Sequence, residues 1–370
     1  MILRDVLNKS LIERAEEVEL LMLGLVARHN VLFIGEPGTA KSLMVDNLLR
    51  AISGAKGFSA LMHKFLPPEE VMGPLKLSEL KNDIYERAVA GYMPDCNIAF
   101  LDEIWKASPA ILNTLLKILN EKKFRNGTGT LDVPMRMAVG ASNEWPIGEG
   151  FQTTGALFDR FLIRTTVRPV SNGRRDELLF GELPIPDPVI SLAEIDQLAD
   201  ECVAIPFSVD AKAAYAEVID ELSRVEKIKA GDRRMRASVR IAQAAAALDG
   251  AATVQPEHLE PLKHTLWVHP DQQEKCHKIV VRICDPTGAD IAEIMTEADT
   301  LFEGIGELTD PKTLGNMKKL GSCVKKVSRI GGDKSKEAAK LLGDRLTSVR
   351  AKLLGATTEE VDLATNSSGS

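Results

Sequence analysis

Cysteine is scarce in this chain, and its spacing matches no binding pattern. The five cysteines are odd in number and widely spaced, and no two of them form a CxxC pair. They are Cys96, Cys202, Cys276, Cys284 and Cys323. A disulfide framework needs paired cysteines and a zinc ribbon needs CxxC pairs, so this spacing argues against both. It indicates a reducing compartment, and we expect a cytoplasmic protein.

Long apolar runs are also absent. No stretch approaches the roughly 20 apolar residues that a membrane-spanning helix needs. The first residues include Asp5, Glu13, Glu16, Glu17 and Glu19, and this many acidic residues is not typical of a signal peptide. We therefore expect neither a membrane span nor a secretion signal.

The sequence lacks an excess of positive charge. Its 46 Lys and Arg face 53 Asp and Glu, which gives a net charge of -7. A protein that coats DNA carries a basic surplus, so any basic surface here must be local. The 44% hydrophobic and 27% charged residues are typical of a globular protein and exclude disorder throughout. At about 150 residues per domain, 370 residues predict two or three domains.

In the first 170 residues, short apolar runs alternate with helical patterns. The four predicted strands are Val31–Ile34, Asn97–Leu101, Arg136–Ala141 and Phe161–Val167. Helical spacing covers Leu11–Arg28, and Ser108 followed by Pro109 marks the start of another helix. This alternation predicts an α/β domain over residues 1–170, with a parallel sheet and helices on both faces.

Beyond residue 170 the pattern becomes helical. A proline-rich linker at 182–188 precedes helical patterns, which predict a separate all-helical domain over 171–270. These patterns lie near 191–203, 209–228, 236–249 and 256–267.

A third region, 271–363, is predicted to be a helical extension. Residues 271–303 have a helical pattern, and 312–352 predict a helical pair broken at Gly331 and Gly332. The second stretch holds 12 Lys and Arg against 3 Asp and Glu. This basic stretch could bind nucleic acid or an acidic partner, but it has no aromatic residues on which bases could stack, which favours a solvated face. Residues 364–370 are small and polar, and we expect them to be disordered.

A phosphate-binding loop follows the first predicted strand. It consists of Gly35, Glu36, Pro37, Gly38, Thr39, Ala40, Lys41 and Ser42. Between a strand and a helix, such a loop directs backbone N–H groups at phosphate, while Lys41 reaches the β- and γ-phosphates and Ser42 ligates Mg²⁺. Ala40 departs from the motif, which has glycine there, so this is a variant of the loop.

Two acidic residues, Asp102 and Glu103, follow the second predicted strand. In a parallel sheet, ligands bind at the carboxyl ends of the strands, so both acids should face the phosphates. Asp102 suits the Walker B role of holding Mg²⁺, and Glu103 suits activation of the attacking water. Without the phosphate-binding loop, the same pair could simply cap a helix.

Several ordered segments carry a family resemblance. They are Phe100–Ala107, Pro109–Leu116, Phe124–Gly127, Ala141–Glu144 and Leu157–Phe161. Together they resemble the MoxR branch of the AAA+ ATPases, most closely its RavA subgroup, over about residues 10 to 267. In that branch the phosphate-binding loop commonly ends in Ala-Lys-Ser, as it does here. The resemblance implies an AAA+ α/β domain followed by a helical lid.

The resemblance also implies further site residues. Asn143 matches sensor 1, although it could be a simple turn residue, and Arg160 matches the arginine finger that acts on a neighbouring subunit. Arg164 is the second candidate for the finger, and either arginine could instead form a surface ion pair. Arg233 matches sensor 2, which would bind the nucleotide from the lid side, and Arg234 and Arg236 remain alternatives. Residues 66–95 resemble the helix-2 insert and 123–134 the pre-sensor 1 hairpin, although both could be ordinary surface loops.

The resemblance implies an ATP-hydrolysing ring, hexameric, with Mg²⁺ and with active sites shared between subunits. Relatives act as chaperones with partners that contain a von Willebrand factor A domain, so we expect such a partner and a protein client. Two alternatives stay open: a motor stimulated by nucleic acid, which the acidic overall charge disfavours, and a nucleotide-gated scaffold with little turnover, which Glu103 disfavours.

Overall fold

The computed structural model describes residues 2–146, 149–306, 311–331 and 333–354. The chain divides into two compact units, residues 1–280 and residues 281–370. The predicted disordered tail, 364–370, and the last residues of the predicted extension lie outside the described residues.

Five parallel strands form the main sheet, in the order β3-β4-β7-β1-β8. The strands of the described residues are β1 (Asn30–Ile34), β2 (Ile52–Ser53), β3 (Gly57–Leu61), β4 (Ile98–Asp102), β5 (Lys123–Asn126), β6 (Gly129–Asp132), β7 (Met137–Ser142), β8 (Phe161–Thr166) and β9 (Ile190–Ser191). Strands β5 and β6 form an antiparallel hairpin, and β2 pairs with β9 in parallel. The predicted parallel α/β sheet is therefore confirmed.

The helices of the described residues are α1 (Ile2–Lys9), α2 (Ala15–Ala27), α3 (Lys41–Arg50), α4 (Pro68–Met72), α5 (Leu77–Leu80), α6 (Pro109–Glu121), α7 (Glu149–Phe158), α8 (Arg175–Phe180), α9 (Leu192–Cys202), α10 (Val209–Arg224), α11 (Asp232–Leu248), α12 (Gln273–Cys284), α13 (Pro286–Glu303), α14 (Pro311–Ile330) and α15 (Asp333–Leu354). A long 3-10 helix, Pro256–His264, follows α11. The described residues after 191 are thus almost wholly helical, as predicted.

The central strands are apolar because both of their faces are covered. Every residue of β1 and of β7 is buried, as expected of parallel strands between layers of helices. Strand β3 lies at the edge of the sheet, and none of its residues is fully buried. The four predicted strands are found as β1, β4, β7 and β8, whereas β3 was not predicted.

Helix α6 begins where the sequence predicts. The Ser108 hydroxyl accepts a hydrogen bond from the Ile111 backbone N–H, and Pro109 occupies the first helical position, where its missing N–H costs nothing. The apolar side chains of α6, including Leu112 and Leu115, are buried on one face. This helix fixes the chain between β4 and the β5–β6 hairpin.

The helical region contacts helix α2 through a cluster of charges. The carboxylate of Glu16 lies 3.1 Å from His264 Nε2 and 2.9 Å from Lys263 Nζ. The hydrogen bond with His264 holds the pKa of Glu16 far below its usual range, although burial acts in the opposite direction. The predicted helix at 256–267 is instead a 3-10 helix that contains Pro261, because proline cannot donate an α-helical hydrogen bond.

The second unit contains helices α13, α14 and α15. Its core is formed by Ile291, Ala298, Leu320, Cys323, Val327, Leu342 and Leu346. The predicted helical pair is found as α14 and α15. The helical stretch predicted at 271–303 is interrupted instead, because Asp285 caps a new helix by accepting a 2.9 Å hydrogen bond from Gly288 N–H.

None of the described helices combines the length and the apolar character that crossing a bilayer would require.

Candidate nucleotide site

The phosphate-binding loop connects the end of β1 to the start of α3. Gly35 needs its lack of a side chain, because a Cβ there would lie 2.3 Å from the carbonyl oxygen of Val167. Gly38 has a φ of +81°. Ala40, at the position of the second glycine of the motif, also has left-handed backbone, with a φ of 66°. This conformation costs alanine roughly 1 kcal/mol, so the loop carries a small local strain at Ala40.

Lys41 lies within this loop and is 7% exposed. Its Nζ donates hydrogen bonds to the carbonyl oxygens of Gly35 (2.6 Å) and Glu36 (2.9 Å). Burial lowers the pKa of Lys41, while the charges of Asp102 and Glu103 act in the opposite direction. The loop and both acidic residues therefore belong to one electrostatic site.

Asp102 and Glu103 stand at the carboxyl end of β4. The Glu103 backbone is left-handed, with a φ of 51°, and its N–H donates to Asp102 Oδ1 at 3.0 Å. One oxygen of the Glu103 carboxylate accepts a hydrogen bond from Asn143 Nδ2, and the other lies 3.2 Å from Lys106 Nζ. Lys106 was not among the predicted site residues.

Asn143 connects the two halves of the site. It follows β7, which lies between β4 and β1 in the sheet, and its Oδ1 is 3.4 Å from Lys41 Nζ. The structure thus brings Lys41, Asp102, Glu103 and Asn143 together at the carboxyl edge of the sheet. The arrangement can hold a polyphosphate and place a carboxylate beside it.

The predicted arginines lie at the opposite edge. Arg160 directly precedes β8, and its carbonyl oxygen accepts a 3.0 Å hydrogen bond from the side chain of Asn30, the first residue of β1. At about 3.3 Å per residue, the five residues of β1 separate this edge from the phosphate-binding loop by about 13 Å. The Arg160 side chain is 20% exposed, and its buried Nε has no hydrogen-bond partner among the described residues.

Arg233 also belongs to the amino edge. Its Nη2 donates to Asn120 Oδ1 at 2.8 Å. His29, next to the start of β1, is close enough to Arg233 to be affected by its charge. Its pKa is lowered to about 4, first by burial and then by the charges of Arg240, Lys122 and Arg233. Arg233 is therefore separated from the phosphate-binding loop of its own chain, as Arg160 is.

The alternative arginines have different surroundings. Arg164 is fully buried, its guanidinium stacks 4.3 Å from the ring centres of both Phe158 and Trp267, and it donates to the Trp267 carbonyl oxygen. A side chain held in this way cannot extend to another subunit. Burial lowers the pKa of Arg164.

Arg234, at 5% exposed, is also internal. It donates to the Thr265 carbonyl oxygen at 2.9 Å and forms an ion pair with Asp159, the residue before Arg160. Arg236 is exposed on α11. Of the three sensor 2 candidates, Arg233 and Arg236 are thus exposed. Arg234 instead connects Asp159, the neighbour of Arg160, to the helical region.

A cavity of about 300 Å³ adjoins the phosphate-binding loop. Its apolar wall includes Leu11, Ile12, Val170 and Leu178. Pattern reading missed these residues, because they come from two segments about 160 positions apart that have no motif in common.

Arg14 also escaped prediction. It is 5% exposed, and it donates to the carbonyl oxygens of Thr39 (3.3 Å) and Arg168 (2.8 Å). It therefore connects the phosphate-binding loop to the segment that follows β8 and stabilises the loop.

Comparisons with known proteins identify the family of the chain. The family model described as "MoxR domain in the MoxR-vWA-beta-propeller ternary systems" matches residues 2–187, and an AAA lid domain model matches residues 214–280. The chain is 31% identical over 315 residues to an uncharacterized protein of Methanocaldococcus jannaschii, covering 83% of this chain and 81% of that protein.

Two further matches were found. The chain is 26% identical to Chaperone MoxR1 of Mycobacterium tuberculosis over 167 residues, which cover 44% of this chain and 42% of that protein. A crystal structure of an ATPase candidate from Cytophaga hutchinsonii superposes with a TM-score of 0.61 at 16% identity, over 76% of this chain and 92% of that one. The last comparison shows a shared fold.

Proposed function

The chain belongs to the MoxR family of AAA+ ATPases, and on this basis we propose that it hydrolyses ATP at sites shared between the subunits of a ring. One observation carries the proposal. The phosphate-binding loop, Asp102, Glu103 and Asn143 share the carboxyl edge of the sheet, while Arg160 and Arg233 lie at the amino edge.

The residues at the carboxyl edge have separate tasks. The loop N–H groups and the Lys41 ammonium bind the phosphates of ATP, as a positive cradle does for an anion. Glu103 accepts the proton of the attacking water on a carboxylate oxygen, and Asn143 orients this carboxylate through its amide. The apolar cavity beside the loop suits the adenine base.

Ser42 and Asp102 would hold Mg²⁺. A hydroxyl and a carboxylate are the hard oxygen donors that this ion prefers. Ser42 follows Lys41 in the first turn of α3, and Asp102 acts electrostatically on the same lysine, so both donors border one loop. The bound ion supplies positive charge that offsets the charge of the phosphates.

The arginines of the amino edge explain why we propose a ring. Charge that develops during phosphoryl transfer is stabilised by a planar cation, and neither Arg160 nor Arg233 lies near the loop of its own chain. We infer that a neighbouring subunit supplies Arg160 as the finger and Arg233 as sensor 2. A hexamer is the assembly that we propose.

The proposed work of the ring is to remodel or activate a protein. The matching family is described with von Willebrand factor A partners, and one relative is named a chaperone, which supports a partner and a client of these kinds. Membership of the RavA subgroup stays a prediction from the sequence motifs. The cytoplasm is the proposed location, in keeping with five buried cysteines, none of which is in a disulfide.

Phosphate release from ATP tests the enzymatic proposal. We expect turnover by the wild type, and a Glu103→Gln variant that binds ATP but turns it over at least about 100-fold more slowly, because an amide cannot accept the proton. Glu217→Gln, an exposed position on α10, is the matched control and should keep full activity. Unchanged turnover in Glu103→Gln would remove this residue from its role.

Assembly and partner need their own measurements. Sedimentation velocity of Glu103→Gln with ATP should show a hexamer, and a monomer that hydrolyses ATP at the full rate would contradict the shared site. Adding a purified protein with a von Willebrand factor A domain should change the turnover of the wild type if the proposed partner is correct.

A further inference from the structure

A second cleft, of about 430 Å³, lies away from the nucleotide site, between α4, α6 and β5. Four basic side chains line it: Arg87, Lys117, Lys123 and Arg125. Its apolar lining includes Met72 and Phe124, which are both buried. The cleft therefore combines positive charge with an apolar floor.

The charges of this basic cleft are largely uncompensated. Lys117, Lys123 and Arg125 are exposed, and none of them is in an ion pair within the described part of the chain. Arg87 pairs with Glu69 at 3.3 Å, and Asp132 lies opposite Lys123 across the hairpin without pairing with it. In a chain with a net charge of -7, such a local excess of one sign favours an anionic ligand.

The walls of the basic cleft are fixed before anything binds. The side-chain amide of Asn126 pairs with the backbone of Arg87, accepting from its N–H at 2.7 Å and donating to its carbonyl oxygen at 3.0 Å. The Arg87 guanidinium also donates to the Gly73 carbonyl oxygen at 2.8 Å. These bonds join the β5–β6 hairpin to the segment around Arg87. Because the walls of the cleft are already ordered, little conformational entropy would be lost on binding.

We propose that the basic cleft binds an acidic peptide segment of a protein partner, with carboxylates at the four cations and an apolar side chain against Met72 and Phe124. The inference rests on the proposed function, since it names the kind of segment by which a partner is held. A nucleic acid fits less well, because Phe124 is 6% exposed. The small ring surface that lines the cleft can contact an aliphatic side chain but is too small for a base to stack on.

Fluorescence anisotropy with a labelled peptide of three Asp-Glu-Leu repeats tests the proposal on the full chain without nucleotide. The control peptide has Asn and Gln in place of Asp and Glu. We expect the acidic peptide to bind at least about tenfold more tightly than the control, and Lys117→Glu/Lys123→Glu to weaken it about tenfold. Lys212→Glu/Lys340→Glu, which reverses two exposed lysines elsewhere, should change the affinity by less than about twofold.

Several results would overturn the proposal. These are no binding by the wild type, equal binding of the neutral peptide, equal weakening by both double variants, or tighter binding of a labelled single-stranded oligonucleotide that is lost in Lys117→Glu/Lys123→Glu. Basal ATP turnover, measured without peptide, should be unchanged in that variant. Peptide binding without turnover would count against the proposed ATPase alone, and turnover without peptide binding against the cleft alone.

Discussion

The side-chain amide of Asn143 donates a hydrogen bond to the carboxylate of Glu103, 40 residues earlier in the chain. The oxygen of the same amide faces the ammonium of Lys41 at 3.4 Å. An amide has a donor for the carboxylate and an acceptor for the lysine, and neither a carboxylate nor an ammonium has both. Asn143 is therefore suited to hold the proposed base and the phosphate-binding lysine in one arrangement.

Replacing Asn143 should slow hydrolysis while ATP binding persists. In Asn143→Ala the Glu103 carboxylate loses its orienting donor, and we expect turnover to fall roughly 10- to 100-fold. Asn143→Asp should fall at least as far, because two carboxylates would repel each other. Steady-state phosphate release and binding of a fluorescent ATP analogue would separate the two effects. A full rate in Asn143→Asp would show that the amide is not needed.

Arg160→Ala should abolish turnover without preventing ATP binding. Removal of an arginine finger costs roughly 1,000-fold or more in rate. The control, Arg224→Ala, removes an arginine that is 80% exposed on α10 and should leave the rate unchanged.

Mixed assemblies test whether the finger acts between subunits. Arg160→Ala keeps an intact phosphate-binding loop, and Lys41→Ala keeps an intact finger, so a mixture should regain part of the turnover that each variant lacks. Phosphate release measured over a range of mixing ratios gives the answer. The absence of rescue at every ratio would contradict a shared site.

Arg234→Met should destabilise the protein. The methionine retains much of the apolar packing but loses the ion pair with Asp159 and the hydrogen bond to the Thr265 carbonyl oxygen. Since Asp159 is half exposed, we expect a loss of about 1–3 kcal/mol in the free energy of unfolding. Urea denaturation followed by circular dichroism would measure it. Arg236→Met, on the exposed side of the same helix, should change stability by less than about 0.5 kcal/mol.

His29 should make stability depend on pH. Its folded-state pKa is lowered from 6.5 to about 4, first by burial and then by neighbouring cations. Between these values the unfolded chain binds a proton that the folded chain does not, so stability is lost as the pH falls from 6.5 towards 4. Thermal unfolding across this range should show a steeper decline in the wild type than in His29→Gln. The exposed control His63→Gln should follow the wild type.

The elements that the sequence predicts are those whose pattern lies within one short stretch of residues. Strands β1 and β4 are continuous apolar runs that end in the phosphate-binding loop and in Asp102, so motif and strand support each other. Strand β3 has no such run, because an edge strand is only partly covered. The cap at Asp285 is visible as an Asp-Pro pair, yet a helical pattern continues across it.

Arginine roles depend on contacts that sequence spacing does not encode. Arg160 and Arg164 are four residues apart, but Arg164 is buried because Trp267, about 100 positions later, stacks on it. Asn126 followed by Gly127 is likewise a pattern typical of a turn. In the structure, the side-chain amide of Asn126 pairs with the backbone of Arg87, which this pattern does not indicate. Such pairings between distant segments decide which side chains can still contact a ligand or another subunit.

The ion pair between Asp159 and Arg234 has a mechanical consequence. Each member adjoins one of the proposed trans-acting cations, Arg160 on one side and Arg233 on the other. Because Arg234 and Arg233 share helix α11 and Asp159 directly precedes Arg160, the salt bridge ties the positions of the two cations to each other. A displacement of this helix would therefore change the surroundings of both cations that we propose to act on a neighbouring nucleotide.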